Sequence, residues 1–142
     1  MSKRIQGCEI PHLATLSTLI DSFAGRKSPA IYALQKQGMR VWTYSELFDQ
    51  ILTLARGLSN LGVGKGDRIA LLAFNRVETI LAALAILKTG AAVVPIDAQL
   101  GTQTLEFMLA DSEVRIICVT ADHLSRFEAL TSGQDLQLIV LD

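Results

Sequence analysis

Along the chain the spacing of apolar residues changes character near residue 67, and the change predicts two kinds of structure. In HLATLSTLIDSFAG (12–25) apolar residues fall at 13, 16, 19, 20 and 23, which predicts a helix stopping at Gly25. PAIYALQ and MRVWTY flank Lys36-Gln37-Gly38 and predict a hairpin with a glycine turn. TYSE (43–46) has capping-box spacing, with Thr43 as cap and Glu46 reaching back. Behind it Tyr44, Leu47, Phe48, Ile51, Ala55 and Leu58 share one helical face, and Asp49, Gln50, Thr53 and Asn60 the other. Gly62 ends that helix.

After Gly66 the apolar runs become continuous. RIALLAF (68–74), AAVVPI (91–96), VRIICVT (114–120) and LQLIVLD (136–142) have strand length without polar alternation. Helical patterns separate them at 76–90, 102–112 and 121–130. Strands of this kind joined by helices predict a parallel sheet with crossovers. The expected class is therefore α/β: a doubly wound, mostly parallel sheet with helices on both faces, preceded by a helix and a β-hairpin. The run Ile80–Leu87 is apolar on every helical face, although one sheet can cover only one side. That side mismatch predicts an uncovered apolar face and self-association of the chain.

Composition narrows the function. The 142 residues carry 13 Lys+Arg and 14 Asp+Glu, for a formal charge of -1. No electrostatic footprint for nucleic acid or an anionic membrane results. Half the residues are hydrophobic and mean hydropathy is +0.37, so either the core is dense or some surface is normally covered. The longest apolar run is too short for a transmembrane segment, and MSKRIQGCEI lacks a signal-peptide core. Cys8 and Cys118 form no CxxC pair, and Cys118 reads as a buried thiol. A reducing, cytoplasmic setting is expected.

Candidate chemistry is sparse. GVGKGD (62–67) looks like a phosphate loop, but Ser59 and Gly66 stand where the Walker pattern needs Gly and Ser/Thr. It also runs from helix to strand, so its amides lie at the wrong pole for phosphate. TSGQD (131–135) has the same polarity. His12 and His123 lack metal-ligand spacing, and no G-x-S-x-G elbow occurs. Glu46 is explained by capping, and Trp42 and Tyr44 by packing. Asp97, just past a strand end, lies where open α/β sheets bind ligands. Without partners it reads as a turn residue after Pro95, which itself needs a strand end or edge.

Three motifs in order, TYSEL (43–47), ARGLSNLGVGKGDRIALLAFN (55–75) and LKTGAAVVPID (87–97), closely resemble the start of the adenylate-forming ligases. That superfamily comprises acyl-CoA synthetases, luciferases and peptide-synthetase adenylation domains. The resemblance extends from about Leu16 to the end and includes LADSEVRIICVT (109–120). One departure is Leu105, where many relatives carry Glu at the third position of the helix, weakening a capping box.

The resemblance implies an ATP-dependent carboxylic acid–thiol ligase that makes an acyl-adenylate and then a thioester. An acyl- or fatty-acyl-CoA synthetase is the leading form, with ATP, Mg and CoA as cofactors of the parent. The alternatives are an acyl-AMP ligase, a carrier-loading peptide-synthetase domain, or a non-catalytic α/β interaction module. Residues 1–142 would be the first segment of the large N-terminal domain, with helix, hairpin and capped helix in 1–66 and the βαβ unit in 67–142. The rest of that domain and the C-terminal domain are expected to be absent. The family's Ser/Thr/Gly-rich phosphate loop, aromatic-Thr-Glu motif, ribose-binding aspartate and catalytic lysine have no counterpart here. No catalytic, cofactor-binding or metal residue is therefore assigned. The segment alone is expected to be inactive and to bind no cofactor.

Overall fold

The computed structural model describes residues 15–35, 38–72, 76–133 and 135–141. The first helix, α1 (Leu16–Asp21), is shorter than its apolar spacing implies. After Asp21 the amides of Ser22, Phe23 and Ala24 bond three residues back, tightening the tail into turns that end at Gly25 (φ 68). The expected residues 12–14 lie outside the described residues. Strands β1 (Pro29–Gln35) and β2 (Gly38–Thr43) form the antiparallel hairpin, with Tyr32 opposite Val41 and Leu34 opposite Met39.

Helix α2 (Tyr44–Asn60) starts at the foreseen box. The Thr43 amide donates to Glu46 Oε2 at 2.7 Å, and the Glu46 amide donates to Thr43 Oγ1 at 3.2 Å. Leu47, Ile51, Ala55 and Leu58 are buried on its apolar face.

Strands β3 (Arg68–Leu72), β4 (Ala92–Ile96), β5 (Ile116–Thr120) and β6 (Gln137–Leu141) form a parallel sheet in the order β4-β3-β5-β6. Helix α3 (Val77–Thr89) links β3 to β4, and α4 (Thr102–Asp111) links β4 to β5. A 3-10 turn, Ala121–His123, and α5 (Leu124–Thr131) link β5 to β6. Pro95 lies in the edge strand β4, where its missing N–H costs no ladder bond to a second neighbour.

Alternate strand residues feed two cores, one on each face. Ile69, Leu71, Ile116 and Cys118 pack with α1, α2 and α3. Ala70, Leu72, Ile117 and Val119 pack with Leu105 and Leu109 of α4 and Phe127 and Leu130 of α5. Burial on both faces explains why these strands show no polar alternation.

Two expectations require correction. The all-round apolar helix α3 is not left bare, because α2 and α1 pack along the side that the sheet does not reach. Within 80–87 only Ile80 is exposed, at 43%. Leu105 does not occupy a capping position either. The N-cap is Gly101, without a side-chain cap, and Leu105 is fully buried in the second core.

Candidate functional site

In a doubly wound sheet, ligands gather beyond the carboxyl ends of the strands, where the connections diverge. Here β3 connects outward to β4, and β4 returns across β3 to β5, so the divergence lies between β3 and β5. The residues following β3, 73–75, lie outside the described residues. The neighbouring loops are Asp97–Leu100 after β4 and Ala121–His123 after β5.

Asp97 is exposed and engaged in its own turn. Its Oδ1 accepts the Gln99 amide at 2.9 Å, and its carbonyl accepts the Leu100 amide at 3.3 Å. This is the Asx-type use of a carboxylate that the sequence suggested. The loop is then strapped from outside: the Arg126 guanidinium of α5 donates to the carbonyls of Ala98 and Leu100. Local spacing could not reveal that strap, since the partners are 28 and 26 residues apart. Thr120, at the end of β5, is 1% exposed, and its Oγ1 has no hydrogen-bond partner among the described residues.

At the opposite, amino-terminal pole lies the glycine-rich loop. The Gly64 amide donates to Asp67 Oδ2 at 2.8 Å, and the Asp67 amide returns to the Gly64 carbonyl at 3.2 Å. Gly62 and Gly66 have φ values of 85 and 97, as a tight turn requires. An open groove of about 480 Å³ borders this loop, with Asp67, Arg68, Glu113 and Arg115 in its walls. Arg68 lies 2.6 Å from Glu113, and Arg115 lies 3.5 Å from Asp67. Its cations thus already face carboxylates, and the loop works as a helix stop rather than a phosphate cradle. TSGQD behaves likewise: Thr131 Oγ1 donates to the Phe127 carbonyl within α5, and Gly133 has φ 80.

The other candidates resolve into structure. Glu46 is held below its usual carboxylate value chiefly by the Thr43 amide, then by the Thr43 hydroxyl. Tyr44 packs against Phe23 with ring centres 5.0 Å apart, and the Arg26 guanidinium covers it at 4.5 Å. Arg40 covers Trp42 at 3.7 Å. Burial pushes the Cys118 thiol up to about 11. Among the described residues no cluster of His, Cys, Asp and Glu could hold a metal ion; His12 and Cys8 lie outside them. No helix among the described residues is long and apolar enough to cross a membrane.

A parallel sheet in this order, with both faces covered, defines a doubly wound α/β domain of the kind that binds ligands at the carboxyl pole. The AMP-binding enzyme family model matches residues 22–142, and the chain belongs to that family. The match falls on the N-terminal part of the adenylate-forming ligases. Surfactin synthase subunit 2 of Bacillus subtilis (strain 168) is 39% identical over 94 residues, 66% of this chain and 3% of that protein. Feruloyl-CoA synthase of Amycolatopsis sp is 34% identical over 113 residues, 80% of this chain and 23% of that protein. The chain thus spans less than a quarter of the length of these curated relatives.

Two solved structures share the fold. A structure from work on fatty acyl-adenylate ligases of E. coli and L. pneumophila superposes with TM-score 0.77 at 24% identity, over 89% of this chain and 24% of that one. ATP-bound MatB from Rhodopseudomonas palustris gives TM-score 0.77 at 22% identity, over 90% of this chain and 25% of that one.

Proposed function

We propose that this chain is the opening segment of the large domain of an ATP-dependent ligase. That ligase joins a carboxylic acid to a thiol, with CoA as the leading acceptor. In the first step a carboxylate oxygen bonds to the α-phosphorus of ATP, and the bond to pyrophosphate breaks. In the second step a thiolate bonds to the acyl carbon, and AMP leaves with the electron pair of the broken C–O bond. Mg would offset phosphate charge in the first step. The observation that carries this reading is the family match over 22–142, which takes in the hairpin, α2 and the parallel sheet β4-β3-β5-β6.

The part assigned to these residues is architectural. They set the sheet, cover both of its faces and fix the loops after β4 and β5. No catalytic, nucleotide-binding or metal residue is assigned within them. A cytoplasmic setting accords with the buried, unpaired Cys118 thiol.

A second reading has its own support. The 39% identity to surfactin synthase subunit 2 favours an adenylation domain that loads an amino acid onto a carrier protein. Acid-dependent exchange of pyrophosphate into ATP, run on the protein that joins this segment to the remaining family motifs, separates the readings. Exchange driven by fatty or aryl acids, with thioester formed on CoA, supports the ligase. Exchange driven by amino acids supports the carrier-loading domain, and no exchange with either class overturns both. The 142-residue chain alone should give no saturable heat with ATP in calorimetry. A stoichiometric site displaced by an acyl-adenylate analogue would show that these residues bind nucleotide after all.

A further inference from the structure

Arg126 is used differently from the other cations that bridge elements. Arg68, Arg115 and Lys88 each face a carboxylate. Arg126 makes no ion pair among the described residues, and its guanidinium spends Nη1 on the Ala98 carbonyl and Nη2 on the Leu100 carbonyl. Both acceptors are main-chain atoms two residues apart, so one planar fork fixes the backbone of the loop. Asp97 braces the same loop from within by accepting the Gln99 amide. Ala98 and Leu100 turn towards the second core, while Asp97 and Gln99 stay exposed. An exposed connection held this firmly on a rigid sheet is the usual setting for binding groups.

The path of the strap adds a second observation. In the order β4-β3-β5-β6, β3 stands between β4 and β5. A bond from the loop after β4 to the helix after β5 therefore passes the carboxyl end of β3, on the face of the second core. It borders the divergence between β3 and β5, where open α/β sheets take their ligands.

We infer, on the ligase reading above, that Arg126 is a positioning residue: it fixes the backbone of 97–100 as one wall of the ligand crevice and does not itself touch the reacting atoms. A wall acts by preorganisation. Its loss weakens binding of the substrate that lies against it and leaves the chemical step alone. The geometry also sets what can replace it. A lysine ammonium keeps the charge, but as a single point it cannot reproduce a fork that reaches two carbonyls.

Steady-state kinetics on the protein that joins this segment to the remaining family motifs test this, with KM measured separately for ATP, acid and thiol. Arg126→Ala should raise one of the three values about tenfold, with kcat and the other two within about twofold. Arg126→Lys should recover less than half of that loss, and added guanidinium should restore the alanine variant. Three unchanged KM values, equal losses in all three, a fall in kcat alone, or full recovery with lysine overturns the inference and leaves the ligase reading standing. No pyrophosphate exchange in the unaltered protein overturns the ligase reading and the inference with it. Should the alanine variant fold poorly, amide exchange in the unaltered protein decides alone. ATP, acid or thiol, added one at a time, should in one case slow the Gln99 and Leu100 amides, and no slowing with any of them overturns the inference.

Discussion

Lys88 Nζ lies 2.6 Å from Asp21 Oδ1 and ties the last turn of α3 to α1. The same ammonium reaches Ser17 Oγ at 3.0 Å. Lys88 is largely buried, whereas Asp21 is half exposed. Replacing the cation strands its acceptors, so Lys88→Met should lower stability by about 1–2 kcal/mol. Asp21→Asn should cost about 0.5 kcal/mol, since water reaches that carboxylate. Urea unfolding with an unchanged slope checks both. Equal losses would show that the pair behaves as a closed, dry contact.

The α2 cap yields a second prediction. Thr43→Ala removes the acceptor for the Glu46 amide and should cost about 1 kcal/mol. Its pH signature belongs to Glu46. The folded carboxyl is held below 4.5, so its contribution is complete above that value and fades as pH falls through it and below. Glu46→Gln should therefore flatten the melting temperature against pH profile below 4.5. An unchanged profile in that variant would mean that the carboxylate and Thr43 are not coupled in solution.

Cys118 titrates in the opposite sense. Burial holds the thiol neutral, with its value raised from 9.0 to about 11. The folded state thus keeps a proton that the unfolded chain gives up. That contribution to stability is complete below 9.0 and is lost as pH rises from there to about 11. Native chain treated with iodoacetamide at pH 8 should remain unmodified at Cys118, while urea-unfolded chain should react. Peptide mass spectrometry reads the site directly. Rapid labelling in the native state would mean that β5 opens far more readily than its position in the sheet implies.

Gly90 separates backbone strain from crowding. It ends α3 with φ 88, and an added Cβ would meet Lys65 at 3.5 Å, an ordinary contact. The cost of Gly90→Ala is therefore conformational, about 1 kcal/mol. Gly57→Ala, inside α2 with nothing within 4 Å of the added Cβ, should instead raise stability by about 0.5–1 kcal/mol. Similar losses at both positions in thermal melts would contradict this assignment.

The sheet was legible because continuous apolar runs are what strands covered on both faces require. Ile69 and Ala70 serve different cores although they are adjacent. Thr43 and Glu46 were legible because a cap is a local device. Asp97 was legible as a turn residue because its acceptor role is settled within three residues. What escaped the sequence depends on distant partners. An amphipathic α2 announces that it needs a neighbour but not that the neighbour is α3. Arg126 carries no local mark of the loop it straps. The hairpin showed its two strands, its turn residues 36–37 lying outside the described residues, but not which face would stay wet, since both strands carry apolar residues on both sides.

The two-sided core also has a history in time. Synthesis runs from the N-terminus, and the units along it complete in sequence. Once Ile96 has emerged, α2, β3, α3 and β4 are all available, and most of the first core can close. Ala70 and Leu72 then still face outward, waiting for α4 and for Phe127 and Leu130 of α5. The nascent chain therefore passes through an interval, at least 30 residues of elongation long, with one finished layer and one bare sheet face. During that interval the growing chain offers chaperones a surface that the finished segment hides.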